Sequence, residues 1–560
     1  MTYSIRQFRI PIYMVRERSL AILVIIAVML PSLSIVCLPG ASAQDDAADL
    51  ADLMSEHWNA QNVLDIADRL CQISAAHPSF RVSGSEGADE AADLIWSEMV
   101  SYGLNVTNEP FLHSSWTLQE PPVLFSEGDG DLNTSQDQVH FLSFQAEPYS
   151  LPTPSGGVLS ELVSLPLPDI ASPSNVGGRP IDQGAWDEVN ITGKVLLMGK
   201  EVRWNSIWDQ VFKLKLNKER PSAILFHYHY SWMDHAEHYS QSSSGGLPLM
   251  VTGPMFWDIG IPVGSVNYSE GMALADLADQ GLQVLVNINS TLGSGVHRNI
   301  VGDIPSSEPD QPYILVGAHY DTVLTEGYLD NSFGVATVLE IARSVQEMVS
   351  SSKIELRYGL RFVAFACEEL GMAGSLNYVF KHQAELGMIK AVIIVDSIGS
   401  AEMLMTNADP GNDRDLNDLA AASAEEMGIN CSYSVTYSSD HAPFIDPEGT
   451  AFNLNRYWRM TLELRSVQGV KNVMLFHSTP LTVTEQFGGN YGGIHTVQDS
   501  RSGVTEWTHA EDLDAQSQVV ALTVLQAAAI ELDVPDNTWM YVVAAFVVAS
   551  LMLAVMVLRH

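Results

Sequence analysis

Histidine and carboxylate residues stand directly after three separate apolar runs. His319 follows Tyr313–Ala318, Glu368 and Glu369 follow Leu360–Cys367, and Asp396 follows Ala391–Val395. Each run is apolar almost throughout, as expected of a strand buried on both faces of a sheet. Ligands of open α/β sheets bind at the carboxyl ends of the strands. Three strands would therefore deliver imidazole and carboxylate, metal-ligating types, to one edge. His319 and Asp321 sit at i and i+2 and lie on one side of an extended chain. The Asp321 carboxylate is thus expected to hold the second ring nitrogen of His319. Asp330, in Leu329-Asp330-Asn331-Ser332-Phe333-Gly334, stands at a helix start. It reads as an N-cap, or as a carboxylate placed to bridge two cations. Glu368 and Glu369 are adjacent acids that repel each other unless a cation or proton is near. One suits metal binding and the other suits taking a proton from water that the metal activates. Further along, Gly492–Asp499 supplies a second imidazole, His495, and another orienting acid, Asp499. The Ser438–Phe444 stretch reads as a polar loop that shapes the pocket. His227, His229, His235 and His238 resemble a metal tract by count alone. The first two flank a strand end in another segment, and the last two read as surface.

These groups need elements to position them. Residues 54–112 read as helical, with apolar spacing at Val63, Ile66, Ala67 and Leu70. A turn at Ser83–Gly87 leads into a second helix, Ala88–Tyr102, stopped by Gly103. Residues 113–290 are rich in Pro, Gly and Ser. Their short apolar runs at Lys194–Met198, Ala223–Phe226, Leu247–Val251 and Val284–Val286 suggest a small β-rich inserted module. From Asn299 the pattern turns β-α-β, with a helix over Ser332–Met348. The expected fold class is α/β: a mixed, mostly parallel twisted sheet with helices on both faces, a β-rich insert and a C-terminal transmembrane helix.

The ends bear on location. Arg6, Arg9, Arg16 and Arg18 precede an apolar run, Leu20–Leu38, and then Ala41-Ser42-Ala43. Residues 1–43 thus read as a signal peptide or N-terminal anchor. Trp539–Leu558 is uncharged and long enough to span a bilayer as a helix. Arg559 suits its inner side, which places residues 44–538 outside the cell. Sequons at Asn105, Asn133, Asn190, Asn267, Asn289 and Asn430 fit that side.

The chain has 560 residues, and Lys+Arg 28 against Asp+Glu 67 leaves a net charge of -39. This excludes a general nucleic-acid binder, which needs a basic surface. A hydrophobic share of 46% excludes low-complexity disorder. The four cysteines form no CxxC pair, so neither a thiolate zinc site nor a disulfide scaffold is indicated. Nothing in the sequence fixes an oligomeric state.

The segments GAHYDTV, LDNSFGVATVLE, AFACEELGMAGS, VDSIGS, SDHAPF and IHTVQD occur in this order. Together they resemble the motifs of the di-zinc aminopeptidases of metallopeptidase family twenty-eight. The resemblance covers residues 299–530, and RVSGSEGADEAADLI within 54–112 is similar to that family's N-terminal section. Residues 150–290 resemble the protease-associated domain inserted in many members. The division implied is 1–43 leader, 44–112 and 291–533 peptidase, 113–290 insert, and 539–558 membrane helix. The resemblance implies two zinc ions, with cobalt or manganese as substitutes. His319 and Asp396 would hold one ion, Glu369 and His495 the other, and Asp330 both. Glu368 would be the general base and Asp321 would orient His319. A membrane-anchored, extracytoplasmic exopeptidase is expected, acting on N-terminal peptide bonds. A carboxypeptidase or dipeptidase of the same family is the alternative, with Arg456, Arg459 and Arg465 as cationic candidates. A second alternative, an inactive receptor ectodomain, requires a lost ligand or base, and none is lost.

Overall fold

The computed structural model describes residues 41–126, 139–147, 150–165, 187–199, 215–216, 218–227, 260–266, 268–399, 402–406, 414–434, 436–446, 469–479, 494, 499–504 and 510–529. Two compact units divide at residue 53/54. The first is described through the start of helix α1 (Ala41–His57). The second holds everything below.

Helix α2 (Ala60–Ala76) starts where Asn59 caps it, its side-chain oxygen accepting from the Gln61 and Asn62 N–H groups at 3.1 and 3.3 Å. Its buried stripe is Val63, Ile66, Ala67 and Leu70, the spacing of an amphipathic helix. Ser85 caps α3 (Glu86–Ser101) by accepting from the Ala88 N–H at 3.2 Å. The helical expectation fails beyond this point. Asn105–Leu118 is a strand, β1, and pairs antiparallel with β10 (Ser290–Ile304). Its partner lies on the far side of the insert, so no local pattern could reveal the pairing. The β1–β10 ribbon therefore crosses both expected boundaries, at 112/113 and 290/291.

Between them run β2 (Val123–Ser126), β3 (Val139–His140), β4 (Gln145–Ala146), β5 (Val158–Ser164), β6 (Val195–Gly199), β7 (Ala223–His227), β8 (Val263–Val266), helix α4 (Tyr268–Asp279) and β9 (Gln283–Asn287). These strands form a sheet of their own, in the order β3-β2-β9-β5-β6-β7-β8-β4. Its centre, β5 to β8, is parallel, so the insert is a mixed sheet carrying a helix. The run Leu247–Val251 and His229, His235 and His238 lie outside the described residues.

The other sheet holds β1, β10, β11 (Tyr313–His319), β12 (Gly359–Phe365), β13 (Ile389–Val395), β14 (Glu402–Thr406), β15 (Cys431–Ser434) and β16 (Val473–Thr479). Their order is β1-β10-β12-β11-β13-β16-β14-β15. The four strands β12, β11, β13 and β16 run parallel, as their buried apolar runs require. Helices α5 (Gly334–Ser350) and α8 (Ala510–Ala529) pack on β11, while α7 (Arg414–Glu426) packs on α8. Helix α6 (Ala373–Lys381) joins a core with Leu315, Val363, Phe365, Val392 and Ile394. Alternation sends Ile314 and Val316 to the opposite face, so helices cover both sides. Among the described residues, no helix is long and apolar enough to cross a membrane. Trp539–Leu558 and residues 1–40 lie outside them.

Candidate metal centre

The parallel register puts the ends of β11, β12 and β13 side by side: His319 lies opposite Phe365, and Gly317 opposite Ile394. His319 is the last residue of β11, and Asp396 is the first beyond β13. His319 Nε2 lies 3.0 Å from Asp330 Oδ1 and 3.4 Å from Asp396 Oδ1. One donor atom from each of His319, Asp330 and Asp396 falls within 4.8 Å of the others, and all three residues are buried. Glu369 is buried and Glu368 half-buried on the loop after β12. His495 lies outside the described residues, as do Arg456, Arg459 and Arg465.

Asp330 reaches this position on a wide helical turn, Tyr328–Phe333, with a cis Asp330–Asn331 peptide bond. Asp499 fixes the turn, its two carboxylate oxygens accepting from the Leu329 and Asp330 N–H groups at 2.7 and 3.3 Å. Asn331 ties the same turn to β13 by donating to the Val395 carbonyl at 2.8 Å. Gly334 is required beside it, because a Cβ there would fall 2.0 Å from Asn331 Oδ1.

Asp321 acts on His319 differently from the i, i+2 expectation. The ring Nδ1 meets the Asp321 main-chain carbonyl at 3.1 Å, while the nearer carboxylate oxygen is 3.7 Å away. The carboxylate turns elsewhere: Oδ1 accepts from the Glu368 N–H at 3.0 Å and Oδ2 from the Ser83 hydroxyl at 2.6 Å. The two residues are neighbours as the i, i+2 spacing requires, but the carbonyl of Asp321 faces the ring while its carboxylate is held by Ser83 and Glu368.

Sequence reasoning passed over several groups. Ser439 donates to Asp396 Oδ2 at 2.6 Å, so the expected pocket-shaping loop is a buried support for Asp396. Its neighbour Asp440 is fully buried and accepts from Ser375. Arg81 is also fully buried among the loops that carry Asp321 and Asp330. A charged residue in an otherwise apolar and small-residue stretch was the available signal for both.

The electrostatics favour a cation. Burial alone would lower the His319 imidazole. Asp396, Asp321 and Asp330 outweigh it and hold that group well above the ordinary histidine range. Burial, then Glu369, Asp396 and Asp440, push the Glu368 carboxyl well above the usual range against the pull of His319. Burial raises Asp440 to about 7, with Asp321 and Asp396 adding to it. So much acid gathered at one largely buried site stabilises any positive charge placed there. The mixed imidazole and carboxylate donors fit zinc.

Residues 299–516 match the model of Peptidase family M28. Aminopeptidase YwaD of Bacillus subtilis is 32% identical over 195 residues, covering 33% of this chain and 40% of the relative. "Probable lipoprotein aminopeptidase LpqL" of Mycobacterium tuberculosis is 25% identical over 334 residues, covering 60% of this chain and 57% of the relative. The chain thus spans less than two thirds of either relative's length. Among solved structures, the fold is similar to that of BSAP, described as a zinc aminopeptidase from Bacillus subtilis. Its TM-score is 0.56 at 20% identity, covering 85% of this chain and 99% of that one.

Proposed function

We infer the activity from a family premise: the chain belongs to peptidase family M28 through residues 299–516, and we propose that it is a zinc-dependent aminopeptidase. The observation that carries this reading is the convergence of His319, Asp330 and Asp396, with donor atoms within 4.8 Å. His319 and Asp396 would hold one zinc, Glu369 and His495 a second, and Asp330 both. Zinc supplies Lewis acidity toward the scissile carbonyl and lowers the cost of ionising water. Glu368 takes the proton of the attacking water and returns it to the leaving amine. Its raised affinity for protons suits both transfers. Asp499 and Asn331 hold the Asp330 turn, and Ser439 holds Asp396, so the donors are placed before substrate arrives.

The wider reading is membrane attachment through Trp539–Leu558, with the peptidase outside the cell. The apolar length of that segment and the acidic, sequon-bearing body support it. We read the second sheet as a protease-associated type of module that limits entry to short or unfolded peptides.

The test is hydrolysis by the purified chain, after chelation and zinc return, of peptides blocked at either end. Cleavage stopped by an N-terminal block and indifferent to a C-terminal one is the expected result. The reverse would replace the aminopeptidase by a carboxypeptidase.

A further inference from the structure

We propose that Ser83 is a positioning residue for the general base, holding the Glu368 backbone in place through the Asp321 carboxylate. The inference deepens the peptidase reading and rests on it for the role of Glu368.

Ser83 lies in the segment between α2 and α3, far in sequence from the strand ends. That segment is fixed at three points before it reaches the site. The Ser79 hydroxyl accepts from the Leu118 N–H at 2.6 Å, pinning it to the end of β1. The Arg81 N–H donates to Thr322 Oγ1 at 3.3 Å, and the Thr322 N–H donates to the Arg81 carbonyl at 3.2 Å. The Arg81 guanidinium then donates to the Tyr320 carbonyl at 2.9 Å, the Glu326 carbonyl at 3.0 Å and Ser332 Oγ at 2.8 Å. A fully buried guanidinium spread over several acceptors fixes them all at once. The segment therefore lies beside 320–322 with little freedom.

Ser83 is 2% exposed and Asp321 0%, so their 2.6 Å bond is shielded from water. Gly84 permits it. Its φ is +88°, and a Cβ there would meet Ser115 Oγ at 2.2 Å, so the chain turns at this point only with glycine. The other end of the link carries strain. Cys367, just before Glu368, has φ +60°, a conformation that is costly for a residue with a Cβ. Such a turn persists only when its surroundings hold it. Asp321 Oδ1 does so by accepting the Glu368 N–H at 3.0 Å. Without the Ser83 hydroxyl, Asp321 Oδ2 loses a buried donor, and Cys367 loses its own contact with that hydroxyl. The Glu368 loop then loses one of its ties, leaving the Gly371 and Met372 N–H bonds to the Glu368 carbonyl and the Ala373 N–H bond to the Cys367 carbonyl.

The experiment compares wild type with S83A, S83T and S83C as full chains. It reads hydrogen exchange of the segment 366–371 by mass spectrometry, zinc content, and kcat and KM on an unblocked peptide. S83A should exchange faster in 366–371 and lose kcat by about ten- to a hundredfold, since small misplacements of reacting groups cost that much. KM and zinc content should stay near wild type. S83T, which keeps the hydroxyl, should recover most of both effects. S83C, a weaker donor of similar size, should fall between and serves if S83A does not fold. Unchanged exchange in 366–371 with unchanged kcat would overturn the proposal. So would a kcat loss that merely follows lost zinc or a raised KM. If wild type cleaves no peptide, the peptidase reading fails by itself. The exchange comparison still decides whether Ser83 holds this loop.

Discussion

The sheet centred on β11, β12 and β13 and the sheet centred on β5 to β8 both run their middle strands parallel. In the first, the strand ends lead into His319, Glu368, Glu369 and Asp396. In the second, β5 ends at Ser164, β6 at Gly199 and β8 at Val266. Of these four strands, β7 ends on a metal-type side chain, His227, which is buried against Gly271, while Glu201 and His229 follow β6 and β7 outside the described residues. A parallel centre thus offers an edge where chemistry can be placed, and side chains at that edge decide whether it is. The loops repeat the contrast. Around the first sheet, Ser439 bonds the Asp396 side chain, while Asp499, Asn331 and Asp321 bond main-chain groups of Leu329, Val395 and Glu368 beside the site. In the second, Ser150 and Thr153 serve the main chain, bonding Val263 and Ile288.

The largest effect should come from Glu368, the proposed base. E368Q keeps the shape of the loop and removes the proton acceptor, so kcat should fall roughly 10²–10⁴-fold with metal retained. Wild-type turnover in this variant would remove Glu368 from the mechanism. The counterpart in the second sheet is H227A. It should cost about 1–3 kcal/mol in unfolding measurements, from a lost buried contact, and leave zinc content and kcat alone. Zinc lost on this substitution would erase the contrast between the two sheets.

The smallest effect concerns the helix that packs against β1 and β10 at the edge of the first sheet. His382, just past α6, meets Glu109 of β1 at 2.9 Å and Glu385 at 3.2 Å and stacks on Tyr378. Burial lowers its affinity for a proton, but Glu109 and Glu385 raise it further, so the net shift is upward. The stabilisation is therefore complete below the ordinary histidine value and is lost as pH rises through the raised one. Glu109 is shifted down, burial opposing His382 and Lys381, so its share is present above the ordinary carboxylate range and is lost in acid. The difference in Tm between wild type and H382Q should be greatest near pH 6 and shrink in alkali, corresponding to roughly 1 kcal/mol. A pH-independent difference would assign His382 to packing alone.

Much of the first sheet was legible because strands buried on both faces must be apolar throughout. Tyr313–Ala318, Leu360–Cys367 and Ala391–Val395 announce themselves, and so do the polar residues that end them. The helix over 334–350 is equally plain from Val335, Val338, Leu339, Ile341 and Ala342. What stayed hidden depends on partners distant in sequence. β1 is a strand because of β10, and Val106–Phe111 has no pattern of its own strong enough to say so. The parallel centre of the insert is hidden for the same reason, since short strands such as Val263–Val266 carry no sign of direction. In the site, residue type could nominate Asp321 but could not say which of its oxygens faces His319. Ser83 and Ser439 gain their roles only where distant loops converge.

The most direct test of the metal centre is elemental analysis of the folded chain after chelation and zinc return, beside D330A. The account predicts two zinc ions per wild-type chain and loss of metal in D330A. Well-folded wild-type protein that takes up no divalent cation would contradict it.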